Sequence, residues 1–178
     1  MDNYITTYSG VHFTPLAPKE REIKIEDIAH ALSLMARANG HFPKFYSVGQ
    51  HCVHCCEEAE ARGYDRRVRL ACLLHDASEA YLADITRPVK QHLPKYREIE
   101  EVLQEAVFRK YLGVLSAEER ALWRELDDTL LYYEFDHFMG EKLMECPGVL
   151  KSSPVFDTEP FSVTEKRYLE WFERLKEG

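Results

Sequence analysis

Apolar residues recur at helical spacing along most of the chain, after a short β-like stretch at the start. Residues 4–13 alternate β-forming side chains around Ser9-Gly10, which predicts a short N-terminal hairpin. The next segment has apolar side chains three and four residues apart, at Ile25, Ile28, Ala29, Leu32, Met35 and Ala36. Since Asn39-Gly40 is a common helix stop, the sequence predicts a first helix that ends before this pair.

Capping signals predict the next two helices. Ser47 with Gln50 three residues later forms a capping-box pattern, and the helix that it begins ends at Gly63. Asp65 is a suitable N-cap for a third helix, which runs into His75. Both helices carry titratable side chains on a largely apolar background.

The second half of the chain continues the helical pattern. A long apolar periodicity begins after Pro94 and closes at Gly113. Ser116 with Glu119 forms another capping box, and we expect the helix that it begins to run toward Pro147. The sequence therefore predicts two long helices in this region.

The end of the chain completes the predicted fold. Residues 147–161 have a loop-like composition, and Ser162 with Glu165 predicts the cap of a final amphipathic helix. About six helices and almost no strand predict an all-α, bundle-like domain with a possible short N-terminal β-hairpin. A length of 178 residues suits a single domain over residues 1–178.

Composition and charge narrow the classes of partner. The hydrophobic fraction of 45% and the charged fraction of 30% are typical of a globular protein. A net charge of −8 makes polymeric nucleic acid a poor partner, although a small anion could be held by a metal and a few basic side chains. The chain has neither a long apolar span nor a secretory leader at its start. We therefore expect a cytoplasmic protein with no membrane segment.

Five cysteines, an odd number, do not form the pattern of a disulfide framework. Cys52, Cys55 and Cys56 lie together on one predicted helix, and a zinc thiolate site would need a second ligand pair at suitable spacing. Only the isolated Cys72 and Cys146 remain. Reduced thiols that pack as small core residues explain the pattern better.

The densest chemistry lies between residues 71 and 90, where an apolar run delivers His75-Asp76, followed by Glu79 and Asp84. Adjacent side chains diverge on a regular helix, so a site that uses both members of the pair needs a helix end or a distortion there. An imidazole and a carboxylate together suit a divalent metal. The candidates for the other half of the site are His51 and Asp127, with His54 as a substitute for His51 or as a neighbour of the ligands.

Three motifs carry a resemblance to a known family: FYSVGQH, LLHDASEAYLADITRPVK and DDTLLYYE. Over residues 4–140 the chain resembles the HD-domain metal-dependent phosphohydrolases. Within them it is most similar to the branch of bacterial deoxyribonucleoside 5′-monophosphatases and phage deoxynucleoside triphosphohydrolases. The resemblance does not extend to residues 147–178.

The resemblance implies four metal ligands, namely His51, His75, Asp76 and Asp127. We prefer Asp127 to Asp128 because a Leu pair and then Glu134 follow it at the spacing of the branch. One divalent ion is implied, and two imidazoles with two carboxylates suit Mn, Co, Fe, Ni, Zn or Mg. The identity of the ion is left open.

The resemblance also implies catalytic roles for two carboxylates. Glu79 matches the residue that orients or deprotonates the attacking water, and Asp84 matches a second acidic residue of the site. Without the resemblance, both could belong to a solvated helix face.

Four further residues are candidates for substrate binding, namely Arg37, Lys90, Asn39 and His41. Lys90 could supplement Arg37, and Asn39 and His41 either border the pocket or have simple turn roles. Arg37 matches a phosphate-binding arginine, although it could also be a routine charge at a helix C-terminus. Ala38 follows Arg37 where the nucleotidase branch has an aromatic residue. The reaction class survives this difference, but strict selectivity for one sugar or for monophosphates does not.

The function implied by the resemblance is hydrolysis of a small nucleotide, with a deoxynucleoside 5′-monophosphate as the preferred substrate. The alternatives are a triphosphohydrolase that acts on deoxynucleoside triphosphates and a regulatory nucleotide-binding module without turnover. A homo-oligomer is expected, with a dimer favoured, and the apolar stripe that begins at Leu130 is compatible with it.

Overall fold

The computed structural model describes residues 3–145 and 147–176, and within them the fold is all-α with a two-stranded N-terminal hairpin. Strands β1 (Ile5–Thr6) and β2 (His12–Phe13) pair antiparallel, with Ile5 opposite Phe13. The helices of the described residues are α1 (Ile25–Leu34), α2 (Val48–Ala61), α3 (Arg66–Leu74), α4 (Arg87–Lys90), α5 (Pro94–Tyr111), α6 (Ala117–Met139) and α7 (Phe161–Lys176). The predicted fold class is confirmed.

Two predicted capping boxes are present. The Ser47 side chain accepts a hydrogen bond from the Gln50 N–H at the start of α2, and the Gln50 side chain accepts one from the Ser47 N–H. Ser116 and Glu119 make the same reciprocal bonds at the start of α6. These signals were readable because each depends on residues three positions apart.

Two helices end earlier than predicted. Helix α1 ends at Leu34, so Met35 and Ala36 lie outside it, and Ala36 pairs with Ser47 in a β-bridge. Helix α6 ends at Met139, well before Pro147, because Gly140 adopts a left-handed conformation with φ of 64°.

Helix α7 begins at Phe161, and the carbonyl of Pro160 accepts the N–H groups of Val163 and Thr164. Ser162 therefore lies inside the first turn. The prediction that Ser162 caps this helix is wrong.

The additional helix α4 explains why the structure has one helix more than expected. Pro88 is the second residue of this four-residue helix. Proline is tolerated in a first turn because the N–H that it lacks would have no partner there.

Helix α2 lies at the centre of the fold, with eleven of its fourteen residues buried. Helix α7 packs on α1, α2 and α3 and buries Tyr168, Trp171, Phe172 and Leu175. The Tyr168 hydroxyl donates to the carbonyl of Leu73 at 2.6 Å, which satisfies a polar group in the core. Helix α7, in the part of the chain after residue 147, thus contributes buried side chains to the main hydrophobic core.

None of the helices in the described part of the chain combines the length and the apolar character needed to cross a bilayer.

Candidate metal centre

Three helices deliver the four predicted ligands to one place. His51 lies in the first turn of α2, and Asp127 lies in the middle of α6. His75 is the C-cap of α3, and Asp76 leads into the 3-10 turn Ala77–Tyr81. Since the helix ends at His75, the neighbouring side chains of His75 and Asp76 can face the same point, as the sequence required.

The ligand atoms lie at distances that suit a single ion. His51 Nε2 is 3.2 Å from His75 Nε2 and 3.1 Å from Asp127 Oδ1. Asp76 Oδ2 is 3.3 Å from His75 Nε2 and 4.0 Å from His51 Nε2. Ligands bound at about 2.1 Å to one octahedral ion lie about 3.0 to 4.2 Å from one another. The four side chains therefore fit a divalent metal ion.

The tautomers of the two imidazoles agree with metal binding. His51 Nδ1 lies 2.6 Å from the carboxylate of Glu134, and His75 Nδ1 lies 2.7 Å from the carbonyl of Cys72. Both partners are acceptors, so each Nδ1 carries the hydrogen and each neutral ring presents the Nε2 lone pair. Two lone pairs that face one another beside two carboxylates require positive charge between them.

The pKa shifts show the same demand for positive charge. Burial lowers the pKa of His75, but the adjacent Asp76 carboxylate and the nearby Asp127 carboxylate raise it well above its usual value. Burial opposes ionisation of Asp127, yet the nearby His51 and His75 hold its pKa well below the usual range when their Nε2 atoms carry protons in place of a metal. The cluster thus attracts a cation strongly, whether a proton or a metal ion.

Arg37 reaches the cluster from the chain segment before α2. Its N–H donates to the carbonyl of Tyr46 at 2.8 Å, which ties this segment to the start of α2. The guanidinium lies 3.4 Å from Asp76 Oδ2 and 3.6 Å from Asp127 Oδ1. Its Nη2 donates to the Nε2 of His51 at 3.0 Å. Arg37 is therefore placed where it could contact a substrate group bound at the metal.

A cavity of about 350 Å³ adjoins the cluster, and its wall includes His75, Asp76, Asp127 and Glu79. Glu79 is 5% exposed, and its Oε2 has no hydrogen-bond partner among the described residues. Burial, followed by the negative charges of Asp76 and Asp84, raises the pKa of Glu79 well above its usual value. The cavity thus contains a buried carboxylate with an unused acceptor atom.

The remaining predicted residues differ in how closely they approach the cluster. Lys90 lines the cavity, with its Nζ 3.7 Å from Glu79 and 2.6 Å from Glu100. Asp84 is partly buried, and burial raises its pKa despite the opposing charge of Arg37. Both residues are close enough to the cluster to interact with it electrostatically.

Asn39 and His41 are exposed in the turn after Arg37. Neither side chain makes a hydrogen bond or ion pair with the part of the chain that the structure describes, so the structure does not bring them to the cluster. Their predicted roles at the pocket border stay untested.

The structure separates the neighbouring aspartates. Asp127 is a member of the cluster, whereas Asp128 is more exposed and pairs with Arg87 at 2.8 Å. The same Arg87 nitrogen is 3.1 Å from Asp127 Oδ2, on the outer side of the cluster. The position of Asp127 in the cluster thus agrees with the preference for Asp127 over Asp128 as a metal ligand.

Two cysteines lie closer to the cluster than the sequence indicated. Cys55 forms a possible ligand group with His51 and His75, and Cys52 forms another with His75 and Asp76, all ligand atoms of each group lying within 4.8 Å. Burial raises the pKa of both thiols well above its usual value, which favours the neutral form. All described cysteines are free and buried, and Cys146 lies outside the described residues.

Sequence reasoning missed the roles of two residues behind His51. In the sequence, Glu134 indicates only the spacing of the motif that contains Asp127, and no pattern predicts a role for Tyr46. Both are buried, and the Tyr46 hydroxyl donates to Glu134 at 3.0 Å. His54, the suggested substitute for His51, has its Nδ1 2.8 Å from the Tyr46 hydroxyl. His54 therefore belongs with Tyr46 and Glu134 behind His51, and we do not count it among the candidate ligands.

Comparison with known proteins shows similarity to proteins without an assigned activity. No family model matches the chain. The uncharacterized protein YfdR of Escherichia coli (strain K12) is 38% identical over 109 residues, which span 61% of this chain and 58% of YfdR. The uncharacterized protein RCAP_rcc00048 of Rhodobacter capsulatus is 42% identical over 156 residues, or 83% of this chain and 79% of that protein. The chain therefore belongs to the same family as RCAP_rcc00048.

Proposed function

We propose that the protein is a metal-dependent phosphohydrolase of the HD-domain superfamily and that it hydrolyses nucleotides, with deoxynucleoside 5′-monophosphates as the preferred substrates. The observation that carries the proposal is the cluster of His51, His75, Asp76 and Asp127 beside a cavity that also contains the buried Glu79 carboxylate, whose Oε2 has no hydrogen-bond partner among the described residues. A bound divalent ion would polarise a phosphoryl oxygen and lower the pKa of a water molecule.

Glu79 is suited to the role of general base. Its Oε2 is buried and lacks a partner, so it can accept the proton of the attacking water. The upward shift of its pKa makes the ionised carboxylate a stronger base than an exposed glutamate. Lys90, 3.7 Å from Glu79, can stabilise the carboxylate before it takes the proton.

Arg37 is suited to binding the phosphate. A guanidinium can hold two phosphate oxygens at once, and this one lies against two of the proposed metal ligands. In a nucleotide complex, the phosphate would replace part of the contact between Arg37 and these carboxylates.

A triphosphohydrolase is the second candidate, and it is favoured by two further cations. Arg97 and Arg124 line the cavity, and neither forms an ion pair with a carboxylate of the described residues. They could hold additional phosphates. By contrast, the exposed Lys44 pairs with Asp157 at 2.8 Å.

The test is a nucleotide panel with purified, metal-free protein to which Mn²⁺ or Co²⁺ is added. The proposal predicts hydrolysis of at least one nucleotide, and loss of that activity in Asp76→Ala. Phosphate and nucleoside as products from dAMP support the monophosphatase, whereas triphosphate from dATP supports the second candidate. Activity that survives Asp76→Ala contradicts both. Nucleotide-dependent thermal stabilisation without product would indicate a binding module instead.

A further inference from the structure

Glu134 lies on α6 two turns after Asp127, and its side chain is 0% exposed. Its Oε1 accepts from His51 Nδ1 at 2.6 Å and from the Tyr46 hydroxyl at 3.0 Å. Its Oε2 accepts from Arg37 Nε at 3.2 Å. One buried carboxylate thus binds both a proposed metal ligand and the proposed phosphate-binding arginine.

The hydrogen bonds behind Glu134 run in one direction. The Tyr46 hydroxyl donates to Glu134, so it must accept from its other neighbour, His54 Nδ1, at 2.8 Å. His54 can donate as a neutral ring, and burial lowers its pKa to about 4. His54 therefore donates to Tyr46, and Tyr46 donates to Glu134, where this chain of hydrogen bonds ends.

The charge of Glu134 is required by its partners. Three donors converge on its two oxygens, and a buried donor without an acceptor costs about 1 to 3 kcal/mol. The guanidinium of Arg37, with its Nε 3.2 Å from Oε2, supplies the positive charge that a buried carboxylate requires. An uncharged amide could not accept all three bonds, because its NH₂ group would face a donor.

We propose that Glu134 is a positioning residue that holds His51 in the Nδ1–H tautomer and anchors Arg37, so that one carboxylate couples metal binding to phosphate binding. The part of this proposal that concerns phosphate rests on the proposed function, whereas the part that concerns His51 requires only that the cluster binds a metal. Carboxylates that accept from a ligating histidine orient the ring and raise its basicity.

The first measurement is a calorimetric titration of metal-free protein with Mn²⁺. Glu134→Gln should bind Mn²⁺ about 10 to 100 times more weakly than the unmodified chain. Tyr46→Phe is the matched control, because it removes one donor from the same carboxylate and keeps the charge. It should change the affinity much less than Glu134→Gln. Equal Mn²⁺ affinity in Glu134→Gln and the unmodified chain overturns the proposal.

The second measurement can overturn the proposal on the unmodified chain alone. In ¹⁵N-labelled, Zn²⁺-loaded protein, long-range ¹H–¹⁵N spectra of the histidine rings report which nitrogen carries the hydrogen. The proposal requires an Nδ1–H on His51, and an Nε2–H on that ring overturns it even if Glu134→Gln does not fold. In Glu134→Gln, the protected His51 Nδ1–H signal should be lost or shifted.

These readouts separate the role of Glu134 from the proposed reaction. If no nucleotide is hydrolysed but Glu134→Gln weakens Mn²⁺ binding, the proposed function fails and the positioning role stands. If hydrolysis is found, Glu134→Gln should also raise KM for the nucleotide, because Arg37 loses its anchor. An unchanged KM overturns the coupling to phosphate binding.

Discussion

The Nε2 atoms of His51 and His75 lie 3.2 Å apart, and in each ring the partner of Nδ1 is an acceptor. Two neutral imidazoles in this arrangement would repel one another through their lone pairs. The surrounding carboxylates increase this demand for positive charge, and the Arg37 guanidinium, with its Nη2 3.0 Å from His51 Nε2, meets part of it. This relationship supports metal binding by the cluster more strongly than the residue types alone.

The charges around the cluster balance without a thiolate. A divalent ion and Arg37 supply three positive charges, and Asp76, Asp127 and Glu134 supply three negative charges when ionised. A buried thiolate would add a charge without a partner, which is costly.

We therefore predict that Cys55→Ser leaves Mn²⁺ affinity nearly unchanged. The Co²⁺-loaded protein should show weak visible bands and no intense thiolate-to-cobalt band in the near ultraviolet. An intense band that disappears in Cys55→Ser, while Cys56→Ser retains it, would identify Cys55 as a ligand.

Glu79→Gln should lower kcat by about 10² to 10⁴ on the nucleotide substrate, because it removes the proposed general base. The amide is close in size to the carboxylate, so Mn²⁺ affinity should remain near that of the unmodified chain. The measurements are steady-state kinetics and a metal titration on the same preparation. A kcat within threefold of the unmodified chain would rule out this role.

Arg37→Lys should lower kcat/KM by at least about tenfold, since lysine cannot hold two phosphate oxygens in the fork of a guanidinium. The fall should appear mainly in KM if the contact is made in the ground state. Arg174→Lys, an exposed change on α7, is the control. Equal kinetics for the two variants would remove Arg37 from the binding site.

Glu58 should make the fold sensitive to acid. This α2 side chain is 0% exposed and accepts hydrogen bonds from the Ser152 hydroxyl, from the backbone of Lys151 and Ser152, and from Arg62. Burial raises the pKa of Glu58, but these hydrogen bonds outweigh it and lower the pKa below the usual value. The ionised carboxylate thus fastens the segment before α7 to the centre of the fold.

A carboxyl group with a lowered folded-state pKa stabilises the fold fully above its unfolded pKa of about 4.3, and this stability is lost as the pH falls through the folded value. Glu58→Gln should lower the free energy of unfolding at pH 7 by about 1 to 3 kcal/mol and flatten its decline below about pH 4. Urea unfolding at several pH values measures both effects. The exposed Glu173→Gln should do neither.

The fold was predictable where its signals are local. The capping boxes at Ser47 and Ser116 involve residues three apart, and both are present. The end of α1 was not predictable in this way. Arg37 and Val48 make backbone bonds across the intervening turn, to Tyr46 and Met35, and this pairing draws the chain out of the helix after Leu34. Such pairing depends on residues about ten positions apart.

Some residues of the candidate site were likewise predictable from local sequence signals, and others were not. His51, His75, Asp76 and Asp127 were readable because a motif connects them, and the structure brings them together. Glu134 was not readable as a partner of His51, since 83 residues separate the two and only packing of α6 on α2 makes them neighbours. Buried polar partners of this kind leave no spacing signal in a single sequence.

The most direct test of the metal centre compares Asp127→Asn with Asp128→Asn. The two aspartates are adjacent on α6, and only Asp127 approaches the histidine Nε2 atoms, at 3.1 and 3.7 Å. Calorimetric titration of each metal-free variant with Mn²⁺ is the measurement. The structure predicts that Asp127→Asn loses most of the affinity and that Asp128→Asn keeps it. Equal affinities, or a larger loss in Asp128→Asn, would contradict the proposed centre.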